Sequence, residues 1–215
     1  MRRFPILMLA GALAFGLPLL AAATVNGSVQ VEAGQPAADA STVNGAVHVA
    51  AGAMVLKAST VNGSIDLGDR AQAQEVGTVN GAITLGNGSR VKGDLHVVNG
   101  HITLDPGAEV GGQLRDVNGA ITLDHAHVAG GIATVNGDLT VGEGSHVEGG
   151  ILYDKPGGWF NWNTHASTPV VVIGPHAVVQ GTLEFRREVV LKVSDSAQIG
   201  PVKGATVVKF SGAQP

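Results

Sequence analysis

The sequence predicts an all-β fold, a single-stranded parallel β-helix, and three observations carry that expectation. First, the tripeptide Val-Asn-Gly recurs at Val25, Val43, Val61, Val79, Val98, Val117 and Val135, always 18 or 19 residues apart. That interval is too short for a helix pair and matches one coil of a β-solenoid, in which no coil buries its apolar side alone. Second, apolar residues keep fixed places within the interval: Val79 is followed by Ile83, Leu85, Val91 and Leu95, and Val98 by Ile102, Leu104, Val110 and Leu114. Alternation of the Ile-Thr-Leu kind is the two-residue period of a strand with one buried face. Third, the chain is apolar (44%), poor in charge (14%) and rich in glycine (32 residues), as short strands joined by tight corners require.

From the N-terminus, Arg2 and Arg3 precede an apolar run over 4–20 and the small-residue stretch Ala21-Ala22-Ala23. Residues 1–23 therefore read as a cleaved export signal. The run is short for a membrane span and is interrupted by Pro5, Gly11, Gly16 and Pro18, so no integral membrane segment is expected after cleavage. No cysteine follows it, which excludes a lipoprotein anchor, and with none elsewhere the exported chain rests on burial and stacked hydrogen bonds. Losing Arg2 and Arg3 moves the formal charge from −4 to −6, which argues against nucleic acid or an anionic lipid surface as partner.

Residues 24–215 read as one β-helix domain with three strands per coil and an aromatic insertion at 152–169. Early coils carry Ala37, Ala40, Ala73 and Val76 where later coils carry larger residues, so the N-terminal end should be thinner. After the insertion, Val171, Ile173, Val179 and Leu183 restore the spacing, which predicts about ten coils and a rod roughly 45 to 50 Å long. Phe210 is placed to close the C-terminal end of the core, whereas the first coil has no comparable cap and should leave strand edges open for pairing. At the Asn-Gly steps a sharp corner with positive φ is expected, with Asn26, Asn44, Asn62, Asn80, Asn99, Asn118 and Asn136 stacked as a structural ladder of side-chain amides.

The rhythm Val-Asn-Gly-x-Ile-x-Leu, alternating with Gly-x-x-Val-x-Gly-x-Leu as in Gly88 to Leu95, resembles two bacterial groups across Thr24 to Lys203. They are the bactofilins, which form cytoskeletal polymers, and exported adhesin-type β-helices. The resemblance implies a right-handed, three-sided β-helix of about 18 residues per coil. A left-handed hexapeptide helix has a similar coil length, but the extra residues before Val98 and Val117 break its six-residue step. The export signal and the lack of long polar tails depart from bactofilins and direct the chain to the periplasm or cell surface.

Three groups of residues are candidate sites. Tyr153, Trp159, Phe160 and Trp162, in and beside the insertion, have the area and polar edges to contact a partner or stack on sugar rings, unless they fold back over the solenoid. Stacking puts Arg90, Glu109, His127 and His146 in one outward column, and the last three are ligand types that zinc accepts, with His125 nearby. The simpler reading is a solvated column with Arg90 paired to Glu109, so no metal or cofactor is expected. Thr84, Thr103, Thr122 and Thr140 form a second outward column that β-propensity explains. Polysaccharide enzymes also use β-helices, but the 17 acidic residues here are scattered and no catalytic constellation emerges. The expectation is a non-enzymatic structural, adhesive or self-assembling envelope protein, with self-association or an envelope protein or glycan as partner. The alternative is a glycan-binding module built on the aromatic insertion.

Overall fold

The computed structural model describes residues 22–155 and 168–215. Among these residues every strand pairing is parallel and none is helical, and the chain winds into a β-solenoid of ten coils. One side is a 10-stranded sheet of short strands running from Val29–Val31 through Ile83–Leu85 and Leu139–Val141 to Val207–Phe210. A 16-stranded sheet makes the rest of the wall. From Arg90–Val91 onward it takes two separate strands from each coil, such as Glu109–Val110 and Leu114–Arg115, so the later coils have three sides. In the two coils before, Met54–Asn62 and Gln72–Asn80 run unbroken across both positions. The break has a local cause. Ala73 registers with Val91 and Val76 with Leu95, so three residues, Lys92 to Asp94, face the two residues Gln74 and Glu75. The extra residue forces a corner, and here the repeat lengthens from 18 to 19.

The core follows from the pleat. Each short strand buries its first and third residues, as in Ile83-Thr84-Leu85, so stacked coils build continuous inward columns of Ile, Leu and Val. Early coils fill the same space with Ala40, Ala53, Ala58 and Ala73, all buried. At the C-terminal end Ala197, Ile199, Val202, Ala205 and Val207 are partly buried and pack on the core. Phe210, expected to close this end, lies outside that cluster and registers with Ser194 in the strand below.

Two sequence expectations need correction. The regular left-handed corner is the one after the short strands, where Gly52, Arg70, Gly88, Gly107, His125, Gly144 and His176 all have φ between 45° and 75°, whereas at the Asn-Gly steps positive φ occurs at Gly27, Gly81 and Gly137 and not at the other triplet glycines. None of the triplet asparagines has positive φ. The cause shared by six triplet glycines is steric: a Cβ on Gly45, Gly63, Gly81, Gly100, Gly119 or Gly137 would run into the carbonyl oxygen of the triplet glycine one coil earlier. Coils stack too closely there for any side chain. The second correction concerns the triplet valines, which the apolar spacing counts with the core. Val25, Val43, Val61, Val79, Val98 and Val117 are exposed, and the threonines before three of them, Thr42, Thr60 and Thr78, are buried.

Candidate functional site: the asparagine corner

The reversed phase of the pleat organises this corner. In Leu95-His96-Val97-Val98-Asn99 the first and third side chains point inward and His96, Val98 and Asn99 outward. An inward threonine at Val97's level is tolerated because its hydroxyl finds a backbone acceptor. Thr42, Thr60 and Thr78 donate from Oγ1 to the carbonyls of Gly27, Gly45 and Gly63 on the preceding coil, at 2.9, 2.9 and 3.1 Å.

On the outside the asparagine amides stack without interruption. Each Nδ2 donates to the Oδ1 one coil earlier, from Asn136 to Asn118, Asn99, Asn80, Asn62, Asn44 and Asn26, at 2.9–3.0 Å. All six bonds point the same way, so amide dipoles add along the ladder and leave an acceptor end at Asn136. Arg187 closes that end: its Nη1 donates to Asn136 Oδ1 and to the Val135 carbonyl, the latter at 2.8 Å. Nothing local in the sequence announces this contact between residues 51 positions apart. Its neighbour Arg186 turns away to Glu184 (2.8 Å) and Asp154 (3.3 Å), so the charged run Glu184 to Glu188 compensates itself only in part.

Inside the corner, two later coils besides that of Val97 depart from the threonine pattern, each with an ionisable side chain. Tyr153 takes the position after Thr134 and is fully buried, its hydroxyl donating to the Gly137 carbonyl at 2.9 Å and its ring 5.6 Å from that of Phe185. Burial, with the nearby Asp138 charge, pushes its phenol above the ordinary range. Tyr153 therefore belongs to the core and not to an exposed contact set, because its strand places it on the inward phase. Trp159, Phe160 and Trp162 lie outside the described residues.

Asp116 is the second departure. It stands level with Thr134, is 3% exposed, and neither carboxyl oxygen nor Thr134 Oγ1 has a hydrogen-bond partner. Burial raises its pKa to about 7, and the neighbouring amides of Val117 and Asn118 offset that without reaching hydrogen-bonding geometry.

The histidine column forms as the register requires, with Glu109 beside His127 and His127 beside His146. Its partners are local: Arg90 holds Glu109 at 2.7 Å, Glu148 meets His127 Nε2 at 2.9 Å, and Gln180 meets His146 at 3.0 Å. His125 leaves this face because it occupies the left-handed corner and bonds Asp124 at 2.6 Å. Among the described residues no group of three or more His, Asp or Glu side chains is arranged to hold a metal ion. The outward threonines Thr84, Thr103, Thr122 and Thr140 are in register as a single column.

No family model matches this chain, and neither do curated proteins or solved structures.

Proposed function

We propose that the protein is a non-enzymatic, self-assembling structural element of the bacterial envelope, exported by its N-terminal segment. The observation that carries the reading is the pairing pattern at the two ends. Among the described residues, Ala22–Asn26 and Val29–Val31 pair on one side only, and so do Gln198–Ile199, Val202–Lys203 and Val207–Phe210. Among the described residues both ends thus present rows of backbone donors and acceptors without a strand partner, and such rows join to the strands of another molecule. The ends are unlike each other, so an end-to-end contact is heterologous and propagates into a filament.

The titratable groups favour a structural over a catalytic role. Catalytic acids and bases are tuned groups that substrate can reach. Asp116, the carboxyl pushed towards neutrality among the described residues, is sealed inside the solenoid, while the exposed Glu75, Glu109 and Glu148 sit beside Lys57, Arg90 and His127 on neighbouring coils.

The test is light scattering on size-exclusion fractions over a wide concentration range, with electron microscopy of any large species. Filaments or oligomers that grow with concentration are expected. A strict monomer at every concentration would overturn the reading.

A further inference from the structure

The triplet valines form a continuous apolar strip on the surface. Six of them are 36–63% exposed, and with Val135 they make one strip of seven on successive coils. At a rung spacing of about 4.8 Å the strip is about 29 Å long. On the order of 400 Å² of valine surface is uncovered in it, the size that marks an interaction patch and not a scatter of surface apolar residues. β-Propensity does not account for it. The outward column of the short strands passes from Gln30, His48 and Asp66 to Thr84, Thr103, Thr122 and Thr140 and later to Lys192, whereas the valine position holds valine on seven successive coils.

We propose that this valine ridge is a lateral interface at which a second copy of the chain lies antiparallel across it, a contact that rests on the self-assembly reading but uses the side of the rod and not its ends. Three features commit the site to that occupant. The strip is periodic, one valine per rung, and only a surface with the same rise meets it in register along its whole length. A second copy has that rise, and paired faces of identical stacked side chains interdigitate as dry zippers. The strip is also uncharged over the early coils: Ser41, Ser59 and Gly77, the last beneath the His96 ring, flank it there, and the asparagine ladder borders its other side. Over these early coils the strip therefore lacks the basic flank an anionic membrane or nucleic acid needs. Finally, pairing ridge to ridge with the flanking columns covers roughly 500–600 Å² per copy, which falls at the low end of specific interfaces and makes a weak, concentration-dependent dimer.

Direction follows from the flanks. An antiparallel pair about a two-fold axis at Val79 sets ladder beside ladder with opposed dipoles. It also places Arg115, the cation of the flanking column, opposite Ser41 of the second copy. Val79 then meets Val79, and Val25 meets Val135.

The chain contains no cysteine, so single exposed cysteines report this contact directly. The full chain, expressed so that any N-terminal processing occurs, is prepared as Val79→Cys, Val25→Cys, Val135→Cys and, on another side, Thr84→Cys, and oxidised at matched concentration. Circular dichroism and urea midpoints check that each variant is folded. Val79→Cys should form disulfide dimers at least about tenfold faster than Thr84→Cys, because the interface raises effective concentration. A mixture of Val25→Cys and Val135→Cys should cross-link faster than either alone. Equal rates for Val79→Cys and Thr84→Cys overturn the ridge as an interface, and self-linking of Val25→Cys without mixed links overturns the antiparallel arrangement. Scattering on the same samples separates the two proposals. Oligomers with slow Val79→Cys linking sink the ridge alone, whereas a strict monomer removes self-assembly as well.

Discussion

Replacing Asp116 should make the solenoid more stable at neutral and alkaline pH and flatten its pH dependence. The carboxyl is 3% exposed and unpartnered, and its pKa stands at about 7 against an ordinary 3.8. The folded state therefore keeps the proton across a window in which the unfolded chain has lost it. Stability falls as pH rises through that window and levels off above about 7. The full separation corresponds to about 4 kcal/mol, and the part lying between pH 5 and 8 to roughly 2–3 kcal/mol. The assay is urea unfolding followed by circular dichroism at pH 5, 6, 7 and 8, with equal slopes confirming a common transition. Asp116→Asn should abolish the decline that the unsubstituted chain shows. Asp116→Thr should go further and raise the midpoint at pH 8, since threonine at this level donates to a glycine carbonyl one coil earlier, as Thr78 does to Gly63. Parallel pH profiles for the unsubstituted chain and Asp116→Asn would refute the reasoning, because they would show that the carboxyl keeps its charge without penalty.

Two further outcomes follow from the corner. Asn99→Ala removes two ladder bonds, to Asn80 and from Asn118, and should lower stability by about 1–2 kcal/mol in the same denaturation assay, since exposed amides regain water. Gly100→Ala should cost at least about 3 kcal/mol or prevent folding, read by urea midpoint and soluble yield, because its Cβ meets the Gly81 carbonyl with no flexible side chain to give way.

The period, the parallel stacking and the core-facing Ile, Leu and Val columns were legible because they rest on residue types repeated at one interval. Repetition fixes the register of every coil at once, so Glu109, His127 and His146 could be aligned without coordinates. The asparagine ladder was legible for the same reason. What the triplet valines do was not. Val97 and Val98 are identical residues in adjacent places, and which of them is inward depends on where the pleat resumes after the preceding corner.

By itself, then, the sequence determined the architecture, because a coil that cannot bury its apolar side must stack on others built to the same period. The tertiary structure decided everything set by phase and by approach between distant segments. It turned the threonines inward and the valines outward and brought triplet glycines close enough that no side chain fits between coils. It also sealed Asp116 in the core and placed Arg187 on the end of the ladder. Each of these depends on how the coils are phased and stacked against one another and not on the local run of residues.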